Sequence, residues 1–190
     1  MPRDGLLTRN QIVAAADELF YSQSLHAVSV DAIAEKAGVT KKTFYYHFKS
    51  KDELIGCYLD ARDSPTIDRF KEWAGSEGSV ADRMTRYFSM LAISSQRPRW
   101  NGCGFLRAAA EMANMQGHPA LRAARTHKAR CEQWLLEMVT EEGHSDAETI
   151  ARALMILIDG AVCQILIHRD AKYATSAGLA ARSLLSRGQL

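Results

Sequence analysis

The stretch Val30–Lys51, VDAIAEKAGVTKKTFYYHFKSK, leaves the chain few ways to fold. Ser29 can cap a helix that buries Val30, Ile33, Ala34 and Ala37 at helical spacing. Gly38 can end that helix, because glycine enters the left-handed backbone region without a Cβ clash. Only Val39 then precedes Thr40, a second capping residue, and a short helix reaching to about Phe48. Two helices this short are not stable in isolation; they need a partner surface. Ile12, Ala15, Ala16, Leu19 and Phe20 provide one on a helix expected over Thr8–Gln23, and Phe44 and Phe48, four apart, share the face that meets it. The expected unit is three helices containing a helix-turn-helix.

The other face of the last helix presents Lys41, Lys42, Thr43, Tyr45, Tyr46 and His47, with Lys49 and Lys51 just beyond. No carboxylate occurs between Thr40 and Lys51. Phosphate oxygens take N–H, O–H and positive charge, and base edges are within reach of short polar groups and rings. The unpaired amides at the helix start add a positive dipole end for a backbone phosphate. A solvated basic helix end explains lysines but not two adjacent exposed tyrosines, and DNA explains both. The net charge of +2 is too small to announce such a partner, so the reading rests on local placement.

The remainder reads as helix as well, giving an all-α fold class with an N-terminal helix-turn-helix domain and a larger helical domain. Alternation of apolar and polar residues is scarce. Ser50-Lys51-Asp52-Glu53 has capping-box spacing for a fourth helix ending near Arg62. Pro65 and Pro119 follow the candidate caps Ser64 and His118, so each is expected to start a helix. This gives helices over Thr66–Ala74, Ser79–Ser95, Gly104–Asn114, Pro119–Glu142, Asp146–His168 and Lys172–Arg187, with a loop at Gly75–Gly78. The expected division is 1–53 for DNA binding and 54–190 for effector binding and dimerisation, with a hinge near Leu54–Tyr58.

The run SVDAIAEKAGVTKKTFYYHFKSKDEL, with IVAAADELFYSQSLHAVSV before it, resembles the DNA-binding domain of tetracycline-repressor-type (TetR family) regulators over Thr8–Tyr58. The resemblance implies a homodimer on a pseudo-palindromic double-stranded operator, most simply a repressor, released by a small-molecule effector bound in the C-terminal domain. It places Lys41, Lys42, Thr43 and Tyr45 where the family reads bases or nearby backbone. It places Tyr46, His47 and Lys51 at phosphate-contacting positions, and Thr40 as a cap that can donate to a phosphate. Phe44 and Phe48 fall at packing positions. One departure is Ser24-Leu25-His26, where the family usually has a glycine in the turn.

The larger half is less specific. The helix over Asp146–His168 is apolar almost all round and asks for burial on both sides. Together with Ala177, Gly178, Ala180, Ala181, Leu184 and Leu185 of the last helix, it suits a four-helix dimer interface or an intramolecular core. Tyr87, Met90, Trp100, Phe105, Met112, His127, Cys131 and Trp134 suit a pocket for an apolar or aromatic effector, and they equally suit a plain core.

No metal site or cofactor is expected, since His127 and Cys131 are two ligands where three or four are usual. The four cysteines are scattered as reduced thiols, and the most cationic neighbour of any is Arg130, beside Cys131. An all-helical enzyme is the rival class, but no catalytic residues are identified: nucleophile-elbow, phosphate-loop and paired-histidine motifs are missing. An architectural DNA-binding protein without effector control is a third class; bare DNA binding needs only the first fifty residues. MPRDGLLTRN does not read as a signal peptide. The apolar run Ala153–Ile167, shorter than the roughly 20 residues that cross a bilayer and interrupted by Asp159, does not read as a membrane span. The expected location is the cytoplasm.

Overall fold

The computed structural model describes residues 3–187, which form nine α-helices and no strand. These are α1 (Arg3–Ser22), α2 (Val30–Lys36), α3 (Lys41–His47), α4 (Lys51–Ala74), α5 (Val80–Ser95), α6 (Gly104–Glu111), α7 (Pro119–Glu141), α8 (Ala147–His168) and α9 (Lys172–Arg187). Among the described residues these group into two compact units, 3–64 with 103–126, and 65–102 with 127–187.

In the first unit, Ile12, Ala16 and Phe20 of α1 meet Ile33 of α2, Phe44 of α3, Phe48, and Leu54, Ile55, Tyr58 and Leu59 of α4. Phe105 and Ala108 of α6, Met112, and Ala120, Ala123 and Ala124 of α7 close the same core. α6 and the start of α7 therefore pack with the helix-turn-helix, although more than forty residues separate them from it in sequence. Arg62 of α4 bonds Asp17 of α1 and lies over the Tyr21 ring at 4.8 Å. Burial pushes the nearby Tyr58 hydroxyl up to about 12.

The second unit is built on α9, which packs against α5 and α8. Gly178 lets α9 approach α5 closely: a Cβ there would meet the Phe88 Cβ at 3.1 Å. Its interior holds an aromatic cluster in which Tyr87 contacts Phe70, Trp73, Phe88 and Trp134, and the Phe70 ring also lies 6.4 Å from that of His127.

Two expectations change. Pro65 does not start a helix; it lies inside the continuous α4. An interior proline costs about 3 kcal/mol through a lost hydrogen bond and ring crowding. Buried anchors on both sides, Tyr58 and Leu59 before it and Ile67 and Ala74 after it, hold the helix together. The boundary between the two units falls at this proline. The apolar run around Asp159 belongs to a 22-residue helix, so α8 is long and apolar enough to cross a membrane by length and composition. Eight of its side chains, from Ile150 to Ile165, are instead buried in the protein, and Asp159 pairs with Lys128 of α7.

Candidate nucleic-acid interface

The helix-turn-helix is closed by its own caps. Ser29 Oγ accepts from Ala32 N at 3.1 Å, and Thr40 Oγ1 accepts from Thr43 N at 3.1 Å. Gly38 adopts φ +67°, the left-handed turn that lets α3 leave α2. α3 is pinned from beneath by Phe44 and Phe48, both buried. The Arg9 guanidinium sits 4.7 Å above the Phe48 ring and donates to Cys57 Sγ at 3.0 Å, tying α1 to the end of α3 and to α4. Cys57 thus has a cationic neighbour that the sequence could not show.

With both phenylalanines inward, Lys41, Lys42, Tyr45 and Tyr46 are exposed, Tyr45 at 50% and Tyr46 at 74%. The Tyr45 ring is set edge-on against Phe44, so the hydroxyl projects from a fixed base. Thr40 and Thr43 hydroxyls lie 2.9 Å apart at the helix start. Lys41 Nζ is 3.0 Å from both oxygens of Asp31 on α2, and this bond and charge hold its pKa above the ordinary lysine value.

The other two predicted residues lie elsewhere. His47 is buried, with Nδ1 lacking a hydrogen-bond partner and its ring edge-on to Tyr46. Lys51 Nζ turns inward to the α1–α2 loop, donating to the carbonyls of Leu25 (2.9 Å) and Val28 (3.2 Å), with His26 O at 3.4 Å.

That loop is the one lacking the usual glycine, and it has no need of one: no residue in it has positive φ. It is held from outside. Glu111 Oε2 accepts from Ser24 Oγ at 3.0 Å and from Leu25 N at 2.7 Å. Arg107 donates to the carbonyls of Tyr21 and Gln23, both at 2.9 Å. The sequence did not show that these groups meet, because partners 84 to 87 residues apart leave no periodic signal.

Residues 12–56 match the family described as bacterial regulatory proteins, tetR family. The regulator TtgR of Pseudomonas putida, named as an HTH-type transcriptional regulator, is 28% identical over 180 residues, covering 86% of this chain and 82% of the relative. A crystallised TetR-family transcriptional regulator from Streptomyces coelicolor superposes with a TM-score of 0.84 at 26% identity, covering 96% of this chain and 96% of that one. The chain carries a tetR-family DNA-binding domain and is similar over most of its length to TetR-family regulators. It is a DNA-binding transcriptional regulator, and α3 occupies the second-helix position of its helix-turn-helix. A further relative, the transcriptional activator FasR of Mycolicibacterium smegmatis, is 46% identical over 54 residues, 28% of this chain and 24% of that protein.

The side chains expected to line an effector pocket do not come together in one place. Tyr87, His127, Cys131 and Trp134 are buried in the second unit, while Phe105 and Met112 belong to the core of the first. Met90 is half-buried on α5. Trp100 is half-buried and lies between α5 and α6; its backbone N–H donates to Arg97 O, and its carbonyl accepts from Arg169. A groove of about 480 Å³ in the second unit is lined by Trp134 and Met138 among the charged side chains Lys71, Glu72, Arg83, Glu137 and Glu141. His127 Nε2 lies 3.6 Å from Cys131 Sγ, and among the described residues no group of three or more His, Cys, Asp or Glu is placed to hold a metal.

Proposed function

We propose that the protein is a homodimeric, sequence-specific repressor that a small-molecule effector releases from a pseudo-palindromic operator. The observation that carries the reading is the division of α3 into a buried phenylalanine face and an exposed face of lysines, threonines and tyrosines with no carboxylate of its own. Lys41, Lys42, Thr43 and Tyr45 face base edges and the adjoining backbone. Tyr46 and the Thr40 cap meet phosphate. His47 and Lys51 act from within: the ring is buried, and the ammonium's hydrogens are directed at loop carbonyls.

The dimer forms through α8 and α9. Ile156 (67% exposed), Ile167 (63%) and Leu179 (67%) lie on these two packed helices, and large apolar side chains so exposed are suited to a partner surface. A two-fold dimer matches two half-sites about 34–36 Å apart, or a multiple of that spacing. DNA binding is the work of residues 1–53, effector binding and dimerisation that of 54–190. The effector enters the larger half, where the aromatic cluster around Tyr87 and Trp134 favours rings and apolar groups. It shifts the population towards a form with low operator affinity.

The protein acts in the cytoplasm, where its DNA is, and carries out no catalysis. Selection of bound fragments from genomic DNA, followed by release titrations with compounds handled by the adjoining genes' products, tests the reading. Expression that falls on deletion of the gene would instead favour activation, the role stated in the name of FasR.

A further inference from the structure

The segment from Thr40 to Lys51 has no carboxylate of its own, but folding brings one to it. Asp31, in the first turn of α2, sets both its oxygens 3.0 Å from Lys41 Nζ. The two side chains are 69% and 54% exposed, so the pair lies in water, where such contacts form and break at little cost. Lys42, one residue on, carries the same charge with no hydrogen bond or ion pair among the described residues. Of the two lysines that open the recognition helix, one is neutralised in the unbound protein and the other is not.

This asymmetry has a consequence on DNA. Non-specific affinity follows the number of phosphates neutralised, because each releases condensed counterions. A lysine already neutralised adds nothing to that count, and its carboxylate repels the nearest phosphate. Specificity is a difference of affinities, and it grows when the wrong complex is penalised. At a cognate site guanine O6 and N7 stand in register with the ammonium and replace both carboxylate contacts, whereas arbitrary sequence offers no such pair of acceptors at that position.

We propose that Asp31 is a specificity-determining residue, which withholds the Lys41 charge from arbitrary DNA and yields it only to a cognate base edge. The inference rests on α3 being the reading helix. Asp31 acts through Lys41 and is a positioning residue.

The test uses full-length protein, a duplex selected from a randomised pool by the wild type, and a scrambled duplex of equal length and composition. Affinities are measured by fluorescence anisotropy between 50 and 200 mM KCl. Asp31→Asn is expected to tighten binding to the scrambled duplex at low salt and to steepen its salt dependence by about 0.9 in logarithmic slope. That slope is an additional loss of about 3.5-fold across the range. The ratio of selected to scrambled affinity falls, and preference relaxes at one guanine of the selected site. Asp31→Glu retains the wild-type ratio. In a Lys41→Ala background, Asp31→Asn has no further effect on the slope.

The proposal is overturned if Asp31→Asn changes both duplexes equally with an unaltered slope, or acts undiminished when Lys41 is absent. If Lys41→Ala binds both duplexes as the wild type does, the placement of Lys41 in the interface falls, and this role with it. Sensitivity to Lys41→Ala without the Asp31 effect removes only the role of Asp31.

Discussion

Glu111 of α6 accepts a hydrogen bond from the backbone N–H of Leu25 at 2.7 Å, joining residues 86 apart in sequence. The same carboxylate holds Ser24, while Arg107, one helical turn earlier, holds the carbonyls that end α1. The loop entering α2 is thus shaped by α6. Glu111→Ala leaves a part-buried amide without its acceptor, an omission that costs about 1–3 kcal/mol. Denaturant unfolding of Glu111→Ala should show a loss in that range, and Glu111→Gln, which keeps an acceptor oxygen, a smaller one. A stability unchanged in both would mean that the loop holds its shape without α6.

Gly56 makes a second connection of this kind. It is buried in the second turn of α4, and glycine inside a helix ordinarily weakens it by about 1 kcal/mol relative to alanine. A Cβ at this position would lie 2.9 Å from the Pro119 Cβ at the start of α7. Overpacking typically costs about 1–3 kcal/mol, enough to outweigh the propensity gain. Gly56→Ala should therefore lower the unfolding midpoint, while Gly160→Ala, on α8 with nothing within 4 Å of the new Cβ, should leave it unchanged or raise it. Paired thermal melts decide the comparison.

These two contacts show which part of the fold was legible. Ser29, Gly38 and Thr40 declare their helix boundaries through chemistry completed within three residues, and each performs as its type suggests. The capping box is similar: Glu53 N donates to Ser50 Oγ, and the Glu53 carboxylate returns to Lys49 N, one residue before the expected donor. Pro65 was misread because its local preference is overridden by burial on both sides of it. Asp31, Arg107 and Glu111 were missed because their roles depend on partners from other helices, which neither periodicity nor spacing encodes. The lysine at 51 looked like a phosphate contact by position, yet the carbonyls it serves lie 23 to 26 residues back.

The inward aim of Lys51 yields a prediction that separates support from contact. Lys51→Met removes the ammonium from the Leu25 and Val28 carbonyls but keeps most of the apolar stem. Bonds to charged groups contribute about 1.5–3 kcal/mol. Stability should fall by an amount within that range, while the salt dependence of DNA binding stays at its wild-type slope. A slope shallower by about 0.9 with stability intact would make Lys51 a phosphate contact instead.

Tyr45 and Tyr46 should differ in kind. Tyr45 is braced against Phe44 and half exposed, whereas Tyr46 is 74% exposed beside the buried His47. A base-edge contact carries about 1–3 kcal/mol of discrimination, and a phosphate contact carries none. Tyr45→Ala should therefore relax sequence preference at one position of a selected duplex. Tyr46→Ala should weaken selected and scrambled duplexes by the same factor. Competition binding against single-base variants distinguishes the two, and the opposite pattern would exchange their roles.

The exposed stripe on α8 and α9 allows the dimer to be tested without disturbing the protomer. Ile156 and Leu179 are each 67% exposed, so replacing either by glutamate removes little packing within the chain. Surface changes of this sort usually stay within about 0.5 kcal/mol of protomer stability. In a two-fold interface each substitution is present twice, and an apolar side chain fully buried there contributes about 1.5–3 kcal/mol. Placing a carboxylate in the same position adds the cost of its desolvation. Ile156→Glu with Leu179→Glu should sediment as a folded monomer at micromolar concentration, with helicity retained and operator affinity greatly reduced, because two half-sites are no longer bound together. A double variant that remained dimeric would move the interface away from α8 and α9 and leave that apolar stripe for another partner.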